Sequence, residues 1–215
     1  MFKRHVVVVE NESLLRDLIA RSLEAKGFEV TTAANAADAK RACSSVDPDA
    51  VVLDIELGPG PNGFEFAEYL NRTTPDVGVV FLTNLPDARF AGDDSRTIPK
   101  RAAYLRKSQL VDTQDLIDAL EAVLNERVGV QYRHDLDGTR PLAKLSRRQL
   151  AVLGLVAKGL SNSQIAEQRG TTVRAVEGII SRIFEALNLD NSGTYNARVE
   201  AARHYLKATG NISGE

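Results

Sequence analysis

Three short runs of β-branched and apolar residues constrain this chain more than any other feature. They are His5–Val9, Val51–Leu53 and Val77–Thr83. Each is too short for a core helix: His5–Val9 reads as a strand buried on both faces, Val51–Leu53 as a buried strand and Val77–Thr83 as a further strand. Each also meets a polar group at its end: Glu10-Asn11, Asp54 and Thr83. Glu29–Thr32 and Ala102–Leu105 complete a set of five strands, and the last precedes Arg106-Lys107. Helical patterns fill the gaps. Ser13 is the expected cap of a helix carrying Leu14, Leu15, Leu18, Ile19 and Leu23, which Gly27 ends. Asn35 caps an Ala-rich helix to about Ser44, Gly63 opens a third helix, and Thr113 caps another through Leu124. Pro86–Ser95 is polar and weakly periodic, which predicts a short or mobile helix. Strand and helix alternating five times predict a parallel sheet wrapped by helices. Such sheets place reactive groups outside the carboxyl ends of their strands. Asp54 stands at such an end, followed by a loop with Gly58, Pro59, Gly60, Pro61 and Gly63.

The last third has a different grammar. Residues 126–143 show no period and read as an exposed linker. Beyond it every pattern is helical, with Leu145-Ser146, Ser161 and Thr172 as starts and Gly159 and Gly170 as stops. A length of 215 residues suits two domains, expected at 1–125 and 144–215. The net charge of −2 conceals an asymmetry. Residues 1–125 carry 14 basic and 20 acidic side chains, and residues 141–215 carry 10 and 6. Only the last part has the charge to meet nucleic acid. The single cysteine, Cys43, excludes an internal disulfide and fits a reducing compartment. The three histidines lack metal-ligand spacing, and no run approaches a signal peptide or a membrane span. The expected location is the cytoplasm.

Four polar strand ends, Glu10-Asn11, Asp54, Thr83 and Lys107, converge on one edge of the predicted sheet. In that pattern residues 4–125 resemble a receiver domain, a doubly wound, flavodoxin-like α/β fold with a five-stranded parallel sheet. The resemblance implies that Asp54 accepts a phosphoryl group. It implies Mg²⁺ held by Asp54, Asn11 and the backbone carbonyl of Glu56, with Glu10 acting through water. Thr83 and Lys107 would bind the phosphoryl oxygens, and Tyr104 matches the family's switch aromatic. The chemistry needs these groups, because phosphoryl transfer builds charge on oxygens that a divalent ion and an ammonium neutralise. Two positions depart from the family. Asn11 replaces an acid, which is expected to weaken Mg²⁺ binding. Asn84 follows Thr83 where a small residue is usual. Taken singly, Asp54 reads as a loop or cap acid, Lys107 as a surface charge and Tyr104 as a half-buried strand residue.

Leu145-Ser-Arg-Arg-Gln149, Gly159-Leu-Ser-Asn162, Ile165-Ala166, Thr172, Val176, Ile183 and Leu187-Asn-Leu189 keep a register that resembles the LuxR/NarL-type helix-turn-helix domain of response regulators. The resemblance covers about 144–206. It makes Thr172–Leu187 the recognition helix and Ser161–Gln168 its brace. Arg174, Glu177, Gly178, Ser181 and Arg182 point away from the apolar stripe and are the expected DNA-facing residues. Thr172 and Ser161, with Ser163 and Thr171, suit phosphate contacts. Glu177 stands where Lys is frequent. Asp190–Asn196 reads as an extended connection before a last helix over Ala197–Leu206.

Together these features imply a transcriptional response regulator controlled by phosphorylation of Asp54. Its implied partners are a sensor histidine kinase, promoter DNA and a second copy of itself. One alternative keeps the DNA role without the phosphorylation switch, and another is a protein-interaction adaptor. An aspartyl-phosphate hydrolase is disfavoured, because Asp54 follows the third strand and its neighbouring acid is Glu56. No Gly-x-Gly-x-x-Gly follows the first strand, so a dinucleotide enzyme is disfavoured too. The chain is not expected to be an enzyme.

Overall fold

The computed structural model describes residues 3–91, 98–189 and 196–211. The chain divides into two units. A sheet unit comprises Met1–Thr83 and Arg96–Leu136, and a helical unit comprises Asn84–Ser95 and Asp137–Glu215.

The sheet unit contains β1 (His5–Val9), β2 (Glu29–Ala33), β3 (Ala50–Leu53), β4 (Gly78–Thr83) and β5 (Ala103–Arg106). Their order is β2-β1-β3-β4-β5, and every pairing is parallel. The apolar runs are the buried strands, as their composition requires, while the polar β2 takes an edge. The helices are α1 (Ser13–Ala25), α2 (Ala36–Val46), α3 (Gly63–Thr73) and α4 (Thr113–Leu124). One sheet face buries Val6, Val8, Val52, Val80 and Leu105 against α1 and α4. On the other face Phe64 of α3 meets Phe81 of β4 at 5.1 Å between ring centroids.

The local signals explain most boundaries. Asn35 accepts from the Asp38 N–H, and Asn62 with Glu65 closes a reciprocal cap on α3. Ser13 is not the cap of α1: it is the first helical residue, and Glu12 precedes it without a side-chain cap bond. Likewise Asp112, not Thr113, caps α4 by accepting from Gln114 N–H. Of the short or mobile helix expected over Pro86–Ser95, the described residues form one 3₁₀ turn, Ala88–Ala91, and the part over 92–95 lies outside the described residues.

Residues 126–136, read as exposed linker, run instead along β5. Val130–Tyr132 and His134–Leu136 form 3₁₀ turns, and Arg133 bridges to Tyr104. The Arg106 N–H on the strand edge donates to His134 Nδ1 at 3.0 Å. An ion pair at 2.8 Å joins Arg133 to Asp135, whose burial keeps it from solvent. Polar residues are used here to satisfy an edge that would otherwise recruit another strand.

The helical unit contains α5 (Arg147–Ala157), α6 (Asn162–Gln168), α7 (Val173–Ala186) and α8 (Ala197–Ala208). Ser146 and Gln149 close a capping box on α5, as Ser161 and Gln164 do on α6. The core is Leu150, Leu153, Val156, Ile165, Val176, Ile179 and Ile183. Arg198 of α8 reaches back to Asn162 Oδ1 at 2.8 Å and to the Leu160 carbonyl at 2.5 Å. The connection over 190–195, read as extended, lies outside the described residues.

Asp87 is a buried acid of this unit. Burial would raise its carboxyl, but hydrogen bonds from Arg89 and Arg140 outweigh that and hold it below its ordinary 3.8. The folded state therefore favours the ionised form. Its stabilisation is present above pH 3.8 and is lost as pH falls through the lower, folded value. Asp87→Asn is expected to cost about 2 kcal/mol at neutral pH. That gap narrows as the medium is acidified below 3.8, which thermal melts across an acid series read directly.

Candidate functional site

Asp54 owes its position to the sheet. Its N–H donates to the Val9 carbonyl at 2.9 Å, one rung beyond the Val9–Leu53 pairing. Strands β1 and β3 are neighbours, and the helices that follow them, α1 and α3, cover opposite faces. Such a reversal opens a crevice at the strands' carboxyl ends. Glu10, directly after β1, faces Asp54 across it. Lys107, directly after β5, reaches both: its Nζ is 2.7 Å from Glu10 Oε2 and 2.8 Å from Asp54 Oδ2.

The two carboxylates are buried, at 2% and 5% exposure, so this triad is a low-dielectric device with one negative charge in excess. Burial raises the Glu10 carboxyl and the Asp54 charge adds to it, against a hydrogen bond from Lys107. Burial alone would lower the Lys107 ammonium. The attraction of Asp54 and then Glu10 reverses that and leaves it above its ordinary value. Glu56 is also pushed up, first by the desolvation of its carboxyl and then by the Asp54 charge.

The pocket is held by its backbone. The Glu12 N–H donates to Glu10 Oε1 at 3.1 Å, and the Glu56 N–H to Asp54 Oδ1 at 3.2 Å. Arg16, on the first turn of α1, donates to the Glu10 carbonyl at 2.6 Å and to the Asn11 carbonyl at 3.4 Å. It fixes the loop that presents Glu10 and Asn11. Sequence reasoning missed it, because an arginine on an exposed helical turn carries no distinguishing signal.

Asn11 is exposed, and its amide faces Gly58 of the loop after β3. Thr83 is fully buried at the end of β4, whose Phe81 pairs with Leu53. Tyr104 is fully buried rather than half-buried, with its ring 6.1 Å from Phe81.

The donors around the crevice are all oxygens: the Glu10 and Asp54 carboxylates, the Asn11 amide and the Glu56 carbonyl. That set fits Mg²⁺. Each of the four carboxylate oxygens accepts one of the hydrogen bonds given above and keeps further acceptor capacity. The Lys107 ammonium already offsets one of the two carboxylate charges, and the Asn11 amide adds none. Among the described residues, no three His, Cys, Asp or Glu side chains are grouped to hold a metal by themselves.

On α7 the buried residues are Val176, Ile179, Ile180 and Ile183. Arg174, Glu177, Ser181 and Arg182 are exposed, and Gly178 is half-exposed among them. Thr172 caps the helix through the Ala175 N–H at 3.2 Å. The Ser161 hydroxyl serves the Gln164 N–H and lies 2.9 Å from the Ser163 hydroxyl. A Cβ on Gly178 would meet nothing within 4 Å. Gly178→Ala is therefore expected to stabilise the helical unit by up to about 1 kcal/mol through helix propensity. If this face meets DNA, the same variant loses affinity, and a melt paired with a gel shift separates the two effects.

A switch-point pocket of paired carboxylates and one lysine, in a chain that continues into a capped helix-turn-helix, defines a signal receiver coupled to a DNA-binding module. Residues 6–95 match the family described as response regulator receiver domain, and residues 143–203 match the bacterial regulatory proteins of the luxR family. The chain belongs to the transcriptional response regulators of the LuxR/NarL type. It is similar to the transcriptional regulatory protein LiaR of Bacillus subtilis, with 26% identity over 94% of this chain and 98% of LiaR. It is 27% identical to TdiR of Thauera aromatica, over 87% of this chain and 82% of that protein. Among solved structures, RcsB of Salmonella typhimurium aligns over 97% of this chain and 100% of its own, at a TM-score of 0.55 and 18% identity. A structure of RcsB dimers bound to two parallel DNAs aligns at 0.57 and 17%, over 95% of this chain and 99% of that chain. At such identity these two likenesses speak for the fold.

Proposed function

We propose that Asp54 is the phosphoryl acceptor of this regulator and that its state sets DNA binding by the helical unit. The observation that carries this reading is Lys107 bridging Glu10 and Asp54 in a buried crevice. An Asp54 carboxylate oxygen attacks phosphorus, forming an O–P bond as the bond to the leaving group breaks. Lys107 stays beside the acceptor and offsets charge on the phosphoryl oxygens, and Thr83 supplies a hydroxyl. Asp54, Asn11 and the Glu56 carbonyl, with Glu10 through water, would hold Mg²⁺, which would supply further neutralisation when bound. Tyr104 is the residue whose packing reports on Thr83.

The donor is assigned as a sensor histidine kinase. Arg174, Glu177, Gly178, Ser181 and Arg182 are assigned to base edges, and Thr172 and Ser161 to phosphates of promoter DNA. A homodimer on two half-sites follows the two-fold logic of such motifs. In this reading the receiver, 1–125, is extended by the segment over 126–136 along β5, and 137–143 connects it to the DNA-binding domain at 144–215. The family is one of regulators, and we assign the chain no external substrate. No helix among the described residues is long and apolar enough to cross a membrane. We place the protein in the cytoplasm with its DNA.

Asn11 supports a second reading, in which the regulator binds DNA without phosphorylation. Mass measurement after treatment with acetyl phosphate and Mg²⁺, paired with DNA titrations, decides between them. An adduct that changes DNA affinity supports the first reading, and DNA binding without any adduct supports the second.

A further inference from the structure

The segment directly after Thr83 belongs to the helical unit, not to the sheet unit. It stands where the alternation of elements calls for a fourth helix, yet among its described residues it turns only over Ala88–Ala91. Its side chains are engaged inside the helical unit. Asp87, at 5% exposure, accepts from Arg89 Nε at 2.8 Å, from Arg89 Nη2 at 2.7 Å and from Arg140 Nε at 2.6 Å. Arg89 Nη1 donates onward to the carbonyls of Ala143 and Leu145, on the approach to α5. The Phe90 ring lies 5.6 Å from the Tyr205 ring on α8. Gly154 of α5 makes room for that ring: a Cβ there would be 2.9 Å from the Tyr205 hydroxyl oxygen. At the other end a Cβ on Gly210 would be 3.2 Å from the Asn84 side chain. None of these anchors uses the exposed face of α7.

We propose that Asn84–Ala91 is a strap that ties the switch residue Thr83 to the DNA-binding unit, and that phosphorylation of Asp54 releases its anchor. The release step rests on the phosphorylation reading above; the anchor does not. Thr83 and Asn84 share a peptide bond, so a displacement of one is carried to the other. Only Asn84, Leu85 and Pro86 separate Thr83 from Asp87, and Pro86 has a fixed φ, so little slack is available. Charge-assisted hydrogen bonds from two guanidiniums to one buried carboxylate demand a defined geometry. A pull on such an anchor breaks it rather than stretching it, which makes a two-state element. The strap explains why this connection has the composition of a loop: its partners are Arg140, Leu145 and Tyr205, far along the chain.

Hydrogen exchange on the full chain tests the strap, before and after acetyl phosphate with Mg²⁺. At rest the Arg89 and Phe90 amides, bonded to Asp87, are expected to be protected together with the first turn of α5. After the phosphodonor their protection falls by about tenfold in the wild type and is unchanged in Asp54→Asn. Arg89→Ala shows the fall without any phosphodonor while amides of β1 and β3 keep theirs, and Phe90→Leu shows a smaller fall. An adduct on Asp54 with strap protection unchanged overturns the release and leaves the phosphorylation reading standing. The absence of any adduct overturns that reading, and the release falls with it. Strap amides that exchange as free chain at rest, or that ignore Arg89→Ala, overturn the anchor itself.

Discussion

Asp54→Asn is expected to lower the phosphoryl adduct formed from acetyl phosphate and Mg²⁺ by roughly a hundredfold or more, because an amide oxygen is a poor nucleophile. The substitution is nearly isosteric. The Glu56 N–H can still donate to the amide oxygen, and the backbone bond to Val9 is untouched. What changes is charge: the crevice passes from one net negative charge to none, and Lys107 is left with Glu10 alone. The Asp54 charge is one of the causes that raise Glu10, so its removal relaxes Glu10 toward its ordinary value. The variant should therefore melt no lower than the wild type, as is common when strain at a functional site is relieved. Intact mass reads the adduct, and a melt on the same sample shows that the fold survives. The DNA affinities measured with and without phosphodonor, distinct in the wild type, become equal in the variant. An adduct that persists in Asp54→Asn places the acceptor elsewhere.

The crevice was legible because its residues sit at strand ends. A continuous apolar run specifies a buried strand, and the first polar residue after it must emerge at the sheet edge. Glu10, Asp54 and Lys107 each follow such a run, and their convergence is a property of parallel sheets. Arg16 and the Asn84–Ala91 strap were not legible. The strap's order comes from side chains more than fifty residues away, and such contacts leave no local period. The helix caps show the same division. Asn35, Ser161 and Thr172 cap through hydrogen bonds to nearby amides, which the local pattern encodes. Ser13 has the right chemistry and the wrong position by one residue, since α1 starts after Glu12 with no side chain bonded to it. Residues 126–136 misled for another reason. Polarity without period reads as exposed, yet here His134 and Arg133 serve the free edge of β5.

Gly63→Ala is expected to destabilise the sheet unit by about 3 kcal/mol, which lowers its melting midpoint by roughly 10 °C. Gly63 reads in the sequence as a helix opener, but the decisive fact is a distance. A Cβ on Gly63 would lie 2.1 Å from the Asp54 carbonyl oxygen and 2.8 Å from Ile55 Cα. Both are backbone atoms, of Asp54 and its neighbour, so no side-chain rotation can relieve the contact. The Gly63 N–H donates to the Ile55 carbonyl at 3.0 Å and closes the loop that carries Glu56. Moving α3 away would lengthen that bond, and moving the loop would displace the Glu56 N–H from Asp54 Oδ1. Either adjustment also disturbs the position of the Glu56 carbonyl, so the variant should take up the phosphoryl group more slowly even where it folds. Asn62→Ala is the control, because it removes the cap of α3 while leaving the approach of Gly63 intact. Cap loss alone costs about 1 kcal/mol. If Gly63→Ala proves no worse than Asn62→Ala in melts and in adduct formation, α3 is held by its cap, and the close approach to the Asp54-Ile55 backbone has no energetic weight.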